Sequence, residues 1–229
     1  MSVGYEVKQE QVELTGESIG IDLGVKELAI VSNQDASRKK FYKNINKSAK
    51  VRRLEKKLRR AQRKASRKLE ANTKSHDKNR RPIWKRPLRE CRNIQRQNKK
   101  IRLLHKKLTD IRNNHLHQVT AEIVKTKPSQ VVMEDLNVKG MMKNKHLAEA
   151  IAKQKFYEFK RQIQYKAEMY GIKVVEVDRF YASSKTCSHC GNIKKDLKLS
   201  DRTYVCPVCG VKLDRDLNAA INLANYKTA

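Results

Sequence analysis

The chain has 229 residues, with 53 Lys or Arg against 24 Asp or Glu, which gives a formal net charge of +29. Hydrophobic residues make up 38% of it, enough for one main domain with an appendage and too much for a disordered polyelectrolyte. No apolar run approaches the roughly 20 residues that cross a bilayer, and no signal peptide is visible. We expect an intracellular protein whose partner is a polyanion, with nucleic acid favoured over a membrane surface.

The first predicted elements are two consecutive strands, over residues 19–24 and 25–31, joined by a tight turn at Gly24. Phe41 and Tyr42 begin a candidate third strand. Asp22 lies in the middle of the first strand, between two large apolar residues. A carboxylate in such a place is costly unless a charge or a metal compensates it, so Asp22 is a candidate functional residue.

Most of the positive charge lies in one block that follows these strands. Residues 38–107 carry 30 Lys or Arg and four acids, a net charge of +26, and the other 159 residues come to +3. Apolar residues recur at three- and four-residue steps over 51–69 and again over 94–111, which predicts two amphipathic helices. Residues 71–88 contain two prolines and several turn formers, so we expect a long basic turn between two roughly antiparallel arms.

The predicted solvent faces of these helices are almost uniformly basic. A coiled coil with a solvated surface is one interpretation. Contact with nucleic acid is favoured, because like charges at helical spacing destabilise a helix unless phosphates neutralise them, and such contacts position a partner without reading its sequence. The candidate nucleic-acid-binding residues are Arg52, Arg53, Lys56, Lys57, Arg59, Arg60, Arg63, Lys64, Arg96, Lys99 and Lys100.

The chain after the basic block alternates strands and helices. Residues 129–134 predict a buried strand that ends in Glu134 at the carboxyl edge of a sheet. A helix over 148–170 stopped by Gly171, a strand over 172–177 and a last helix over 214–223 follow. This order predicts an α/β protein.

Three acids stand at comparable places, namely Asp22, Glu134 and Asp216 in the first turn of the last helix. Simpler explanations exist for two of them: Asp216 or Asp214 could serve only as a helix cap, and Glu134 could be a solvated strand end. If the three elements are neighbours, the acids converge and repel one another. Divalent cations with oxygen ligands are the usual remedy.

Four of the five cysteines form two pairs. Cys187 and Cys190 are followed, after fifteen residues, by Cys206 and Cys209, and a glycine follows each pair where a metal knuckle turns. This spacing predicts a structural Zn²⁺ held by four thiolates, with no coordination position left for catalysis.

Residues 20–25 (GIDLGV), 132–137 (VMEDLN) and 214–223 (DRDLNAAINL) each resemble a motif of the TnpB (OrfB) proteins of insertion sequences of the IS200/IS605 type, relatives of type V CRISPR nucleases. The basic helices and the cysteine pairs also come in that family's order. The resemblance implies an RNase H-like (RuvC) mixed sheet flanked by helices, with an inserted basic helical hairpin and an inserted zinc ribbon. It implies that Asp22, Glu134 and Asp216 bind catalytic Mg²⁺ or Mn²⁺, with Asp214 as the alternative third acid.

The same resemblance implies how the chain is divided. Residues 1–18, with a strand and linker over 5–14, correspond to the end of an N-terminal wedge or barrel domain; the remaining segments are 19–45 (first RuvC part), 46–125 (basic helical hairpin), 126–182 (second RuvC part), 183–213 (zinc ribbon) and 214–229 (third RuvC part).

The function that the resemblance implies is that of a DNA-binding, Mg²⁺-dependent endonuclease that leaves 5′-phosphate and 3′-hydroxyl ends. DNA and a guide RNA are the expected partners, in the cytoplasm of a bacterium or archaeon and on the nucleoid when bound. The family's barrel domain and helical recognition region have no counterpart before residue 19, so a protein partner that supplies them is a further expectation. An inactive zinc-ribbon regulator that binds nucleic acid is the alternative function; a ribosomal or RNA-chaperone protein would leave Asp22 unexplained.

Overall fold

The computed structural model describes residues 12–198 and 200–227. The strand expected over residues 5–14 therefore lies outside the described residues, apart from its last three positions. The chain divides into two compact units. One is formed by Met1–Asn44 with Leu116–Ala229, and the other by Ile45–His115.

The elements alternate along the chain much as the sequence predicts. Up to the end of the second long helix they are β1 (Ser18–Leu23), β2 (Glu27–Asn33), β3 (Lys39–Lys43), a 3₁₀ turn (Ile45–Lys47), α1 (Ala49–Asn72), β4 (Thr73–His76), β5 (Pro82–Trp84) and α2 (Arg92–Lys125). The remaining elements are β6 (Gln130–Glu134), α3 (Val138–Met141), α4 (Ala148–Gln154), α5 (Phe156–Glu168), β7 (Lys173–Val177), β8 (Thr203–Val205), β9 (Lys212–Asp214) and α6 (Arg215–Ala224).

The first unit is built on a five-stranded mixed sheet with the order β3-β2-β1-β6-β7. Strands β1, β2 and β3 pair antiparallel, as expected for two consecutive hairpins, whereas β6 runs parallel to both β1 and β7. The prediction of an α/β protein is confirmed in this form, a mixed sheet with helices packed on it.

The two faces of this sheet are covered by different helices. Ile21 and Met133 pack with Ile123 of α2 and with Phe159 and Ile163 of α5, and each of these five side chains is at most 1% exposed. On the other face, α6 covers β1, β2, β6 and β7 through a second set of apolar residues, which includes Ile30, Leu217, Ala220, Val132, Val175 and Leu223.

Gly20 allows α6 to lie directly on β1. A Cβ atom at this position would stand 2.0 Å from the Ala220 carbonyl oxygen and 2.4 Å from the Ala224 nitrogen. No side chain fits at such distances, so the glycine of the GIDLG segment is required for close packing rather than for an unusual backbone angle. This approach brings the first turn of α6 alongside β1.

The single helix predicted over residues 148–170 is wrong. The structure has two helices, α4 and α5, separated at Lys155, whose φ of 55° and ψ of 45° are left-handed. Gln154, just before the break, is 3% exposed and donates from Nε2 to the Gly24 carbonyl oxygen at 2.9 Å. The break lets this amide hold the turn that follows β1, a tertiary contact that helical periodicity does not report. Gly171 follows the second helix, as predicted, with a φ of 69°.

The second unit contains α1 and the first part of α2, so the two predicted amphipathic helices are present. Val51, Leu54 and Leu58 of α1 pack with Leu108 of α2. Beside this apolar seam the carboxylate of Glu55 pairs with Arg112 at 2.9 Å, with less than a fifth of either side chain exposed. No described helix of the protein is long and apolar enough to cross a membrane.

The long turn predicted over residues 71–88 is corrected by the structure. Helix α1 continues to Asn72, and β4 and β5 then pair antiparallel. The Asp77 carboxylate closes this small hairpin by accepting from the Asn79 and Arg81 nitrogens at 2.9 and 2.7 Å. Proline is tolerated at the start of a short edge strand, so Pro82 begins β5 instead of excluding a strand.

Candidate active site

The alternation of side chains along two neighbouring strands places Asp22 and Glu134 on the same face of the sheet. In β1, Ile19 and Ile21 point to the α5 face, so Gly20 and Asp22 point to the α6 face. Met133 likewise faces α5, and Glu134 therefore faces α6. Gly20 pairs with Val132 and Ile21 with Met133 in the parallel register, so one further step sets Asp22 beside Glu134.

Helix α6 brings the third acid to this place and separates the two alternatives for it. Asp214 is the N-cap, because its Oδ1 accepts from the Asp216 and Leu217 nitrogens at 2.9 and 3.2 Å. Asp216 has no capping bond and lies in the first turn of the helix. Of the two acids, Asp216 lines the same pocket as Asp22 and Glu134.

This pocket has a volume of about 330 Å³ and combines the three acids with a ring of cations. Lys26, Lys185, Lys198, Arg202 and Arg215 line it together with Ser183 and Ser184. Five cationic side chains against three carboxylates leave a net positive wall. Such a wall attracts an anion, and carboxylates in its centre can bind a hard cation.

The pKa values of two of the acids are raised in the pocket. Burial, together with the negative charges of Asp216 and Glu134, raises the pKa of Asp22 well above its usual 3.8, and Arg215 opposes this shift. Burial also raises the pKa of Glu134, against the hydrogen bond that it accepts from the Ser183 hydroxyl. A bound divalent cation would relieve the repulsion, so this donor set fits Mg²⁺ or Mn²⁺.

The carboxylates do not form a closed ligand cluster in this structure. Within the described part of the chain, the cysteine group is the one set of three or more possible ligand residues whose donor atoms lie within 4.8 Å of one another. The Asp216 carboxylate instead pairs with Arg215 at 3.1 Å and with Arg202 at 3.9 Å.

The four predicted cysteines converge. Their sulfur atoms all lie within 4.8 Å of one another, with 3.6 Å between Cys187 and Cys209 and 3.5 Å between Cys190 and Cys206. The two knuckles match. The Gly191 nitrogen donates to the Cys187 carbonyl oxygen at 2.9 Å and the Gly210 nitrogen to that of Cys206 at 3.1 Å, and both glycines have a left-handed φ, of 75° and 72°.

This cluster is chemically suited to a soft divalent metal. Four thiol groups are the donor set of closed tetrahedral sites. The backbone N–H of Cys209 is the largest influence on Cys206 and helps to lower the pKa of that thiol to about 6. At Cys209 a backbone bond from Val211 is outweighed by burial and by the other cysteines, which raise the pKa of that thiol to about 12. Crowding of the four sulfurs therefore sets their protons in competition, and a bound metal would replace those protons. The cluster can therefore hold a metal ion.

The eleven predicted nucleic-acid-binding residues lie on α1 and on the first half of α2. Every one of them is exposed. Across residues 12–198 and 200–227, none of the eleven forms an ion pair with a carboxylate. Their charge is therefore open to solvent and to a polyanionic partner.

Sequence reasoning missed the residues that surround the acids. Ser183 belongs to the segment that leads into the cysteine pairs, and nothing in its local pattern connects it with Glu134, 49 positions earlier. Arg202 approaches Asp216 from the turn before β8. The one available signal was Arg215, which stands between two candidate acids.

Comparisons with known proteins concern the family and the fold. Residues 2–145 match the OrfB_IS605 family, described as "Probable transposase", and residues 156–223 match the Cas12f1-like TNB domain. The fold is similar to that in a cryo-EM structure of a CRISPR-Cas12f ternary complex, with a TM-score of 0.65 and 22% identity over 100% of this chain and 42% of the other. A cryo-EM structure of a Cas12f1-sgRNA-target DNA complex gives a TM-score of 0.62 and 22% identity, over 94% and 51% of the two chains.

Curated relatives extend the similarity to sequence. The chain is 31% identical to a Streptomyces pristinaespiralis protein named "Putative RNA-guided DNA endonuclease", over 91% of this chain and 45% of that one. It is 32% identical to the CRISPR-associated endodeoxyribonuclease Cas12f1 of Sulfoacidibacillus thermotolerans, over 55% and 30%. The chain thus spans about half the length, or less, of the curated relatives it matches. Because the family match covers well over half of its residues, the chain belongs to the TnpB/OrfB family of IS605-type transposon proteins.

Proposed function

We propose that this chain provides the nuclease part of an RNA-guided DNA endonuclease and that it hydrolyses phosphodiester bonds at the pocket of the three acids. The observation that carries the proposal is that Asp22, Glu134 and Asp216, from three distant segments, line one pocket whose other charged side chains are all cations. A binding protein without activity would gain affinity for a polyanion by losing these acids.

In this proposal Asp22, Glu134 and Asp216 would hold the divalent cations, Mg²⁺ or Mn²⁺, through their carboxylate oxygens. Cations bound there would supply an activated water and neutralise charge on the leaving oxygen. The carboxylates themselves anchor the site, and Asp22 does so from a strand that leaves it little freedom. Burial is the main cause of the raised pKa of Asp22, and the negative charges of Asp216 and Glu134 add to it; a cation bound among the three acids would offset those charges.

The cations of the pocket wall have a different task, which is to hold the substrate. Lys185, Lys198 and Lys26 line the pocket beside the acids. Their positive charge would offset the repulsion between the phosphodiester and the carboxylates. It would also stabilise the further negative charge that develops on the phosphate during hydrolysis. We propose that water attacks the phosphorus and the P–O3′ bond breaks, so that one product ends in a 5′-phosphate and the departing 3′-oxygen takes up a proton to become a 3′-hydroxyl, the ends that the family resemblance implies.

The remaining parts of the proposal concern fold and partners. The five-stranded sheet with α6 on one face is consistent with an RNase H-like (RuvC) domain, and the cysteine cluster would hold a structural Zn²⁺. The exposed cations of α1 and α2 would contact DNA or a guide RNA through phosphates. The chain spans about half the length of the relatives it matches, so the guide RNA and any partner chain must be identified directly. This is done by sequencing the nucleic acid, and identifying the protein, that copurify with the chain.

The test is cleavage of labelled single-stranded DNA by the purified protein in Mg²⁺ or Mn²⁺, with its copurified RNA retained. We expect the wild type to cut and Asp22→Ala and Glu134→Gln to have lost cutting. Glu176→Gln is the matched control, because Glu176 lies on the neighbouring strand β7 and does not line the pocket. Equal cutting by Asp22→Ala, or none by the wild type, contradicts the proposal and favours a binding protein.

A further inference from the structure

The segment 183–188, which we name the strap, runs between the acids and the cysteine cluster. It follows β7 and leads into the first knuckle, so Ser183 stands at one end and Cys187 near the other. Ser183 is 3% exposed and Cys187 is 2% exposed, which places both in the interior. The strap has no regular secondary structure of its own, so its position depends on the contacts it makes.

Two buried asparagines of α6 hold the strap by its backbone. Asn222 donates from Nδ2 to the carbonyl oxygens of Ser183 and Thr186 at 2.7 and 2.6 Å. Asn218 donates to the Thr186 oxygen at 2.6 Å and accepts from the Ser188 nitrogen at 3.0 Å. These amides are 6% and 0% exposed, and α6 is the helix that also carries Asp216. Buried bonds of this kind fix the strap to one face of the helix.

Each end of the strap contacts one of the two candidate metal sites. At its start the Ser183 hydroxyl donates to Oε1 of Glu134. At its end the Cys187 sulfur belongs to the cluster, and the Cys187 nitrogen donates to the Asn192 carbonyl oxygen at 2.8 Å within the knuckle. Three residues, 184–186, therefore separate Ser183, which bonds Glu134, from Cys187, which belongs to the cysteine cluster.

We propose that Ser183 is a positioning residue that orients the Glu134 carboxylate for cation binding, and that the strap makes this orientation depend on an intact cysteine cluster. The inference rests on the proposed function of the acids. A carboxylate on a strand end rotates freely unless one oxygen is bonded; with Oε1 held by Ser183, Oε2 is presented to a cation. Loss of the metal would remove the restraint on the Cys187 sulfur and loosen the cysteine end of the strap, which is otherwise held by α6 and by bonds to neighbouring residues such as that from the Lys194 nitrogen to the Lys185 oxygen.

The first experiment measures Mn²⁺ affinity directly. Zinc-loaded protein is added to Mn²⁺, and the loss of the electron paramagnetic resonance signal of free Mn²⁺ reports how much is bound. Ser183→Ala is expected to weaken binding about tenfold, the usual loss when a hydrogen bond to a metal ligand is removed. Ser183→Thr keeps the hydroxyl and should recover most of the affinity. Ser188→Ala is the matched control, because it removes a hydroxyl from the same strap without a bond to an acid, and its affinity should equal that of the wild type.

A double-mutant cycle separates orientation of Glu134 from general disturbance. In a Glu134→Gln background the change Ser183→Ala should cost no further Mn²⁺ affinity, because the group it orients is gone. A full additional tenfold loss in that background overturns the proposal. Unchanged affinity in Ser183→Ala alone overturns it as well.

The dependence on the cluster is tested with Cys209→Ser, which removes a cluster sulfur from the second knuckle and leaves the strap sequence intact. We expect faster hydrogen exchange over residues 183–188 and a several-fold loss of Mn²⁺ affinity; Cys91→Ser, outside the cluster, should change neither. Asn222→Ala loosens the strap with the cluster intact and should also weaken Mn²⁺ binding, so it tests the role of the strap even if Cys209→Ser destabilises the sheet. Wild-type affinity in Asn222→Ala contradicts the role of the strap.

The outcomes distinguish this inference from the proposed function. If wild type and Asp22→Ala bind Mn²⁺ equally, the acids are no cation site and both proposals fall. If Asp22→Ala loses Mn²⁺ and Ser183→Ala does not, the acids keep their proposed function and the strap proposal alone is rejected.

Discussion

Charge is used in opposite ways by the two units of this protein. In the unit Ile45–His115, the cations of α1 and α2 are numerous and exposed, and the two helices are held together by a narrow set of apolar contacts. In the other unit three carboxylates stand in one pocket, each supplied by a different element. We expect the first arrangement to tolerate the loss of one member because the others remain, and the second to depend on each of its three acids.

The difference teaches where substitutions will be felt. Exposed cations act through the summed field, so their effects on binding a polyanion add. Acids that hold one site act as a unit, so removal of one removes most of the effect of all. Variants in one unit should therefore change binding and variants in the other should change cleavage.

The largest expected effect is on cleavage by acid variants. Asp216→Asn and Glu134→Gln should each lower the cleavage rate by more than about a hundredfold, because each removes a charged cation ligand. The rate is measured on labelled DNA under single-turnover conditions. Asp214→Asn is the matched control: asparagine caps a helix as well as aspartate does, and Asp214 serves as the cap of α6. A loss in Asp214→Asn as large as that in Asp216→Asn would reverse the assignment of the third acid.

Packing of α6 on β1 should show the next largest effect. Gly20→Ala places a Cβ atom 2.0 Å from the Ala220 oxygen, so α6 must move and carry Asp216 with it. We expect a loss of about 1–3 kcal/mol in the free energy of unfolding by urea, together with weaker Mn²⁺ binding. Gly171→Ala, where nothing lies within 4 Å but φ is 69°, should cost about 1 kcal/mol and leave Mn²⁺ binding unchanged. If Gly20→Ala is as stable as the wild type and binds Mn²⁺ normally, Gly20 is not required for the packing of α6 on β1.

Neutralising the exposed cations should produce a graded change in binding. The triple variant Arg59→Gln, Arg60→Gln and Lys64→Gln is expected to reduce the slope of log affinity against log salt by about 3 for duplex DNA, roughly one per lost phosphate contact. Cleavage of DNA already bound should keep its rate. Lys195→Gln, an exposed cation of the other unit, serves as the control. An unchanged salt slope in the triple variant means that these helices present their charge to solvent alone.

The smallest expected effect concerns the stability of the acid pocket. Burial and the neighbouring acids raise the pKa of Asp22 above 3.8 in the folded protein. Between the ordinary pKa and the raised one, Asp22 therefore keeps its proton in the folded protein and has lost it in the unfolded chain. Stability therefore falls as pH rises from the ordinary pKa through the raised one. Asp22→Asn should flatten this dependence and raise the neutral-pH unfolding free energy by on the order of 1 kcal/mol, in zinc-loaded protein without added magnesium.

Urea unfolding at a series of pH values measures this effect. Asp196→Asn, at an exposed position, should leave the pH profile of the wild type unchanged. If Asp22→Asn is no more stable than the wild type at neutral pH, the acids are not held together against their repulsion.

The strands of the five-stranded sheet and the last helix are predictable from the sequence because local patterns determine them, whereas α3, β8 and β9 were not predicted. The alternation around Asp22, the apolar run before Glu134 and the cysteine spacing each report a structure that forms within a few residues. The break at Lys155 was missed, since it arises from the bond between Gln154 and the Gly24 oxygen, 130 positions away. The bond from Ser183 to Glu134 was missed for the same reason. In the second unit Asp77 is a turn-forming residue that could have indicated the tight hairpin between β4 and β5. Pro82 and Pro87 favoured a long irregular turn instead.

The division between binding and chemistry is tested most directly by measuring both on the same four proteins: wild type, Asp22→Ala, the triple cation variant, and the two changes combined. DNA affinity comes from fluorescence anisotropy at two salt concentrations, and cleavage from single-turnover assays in Mg²⁺. We predict that Asp22→Ala binds DNA at least as tightly as the wild type and does not cut, and that the triple variant binds more weakly and cuts normally once bound. Cleavage by Asp22→Ala, or a triple variant that binds normally at both salt concentrations, would contradict the account.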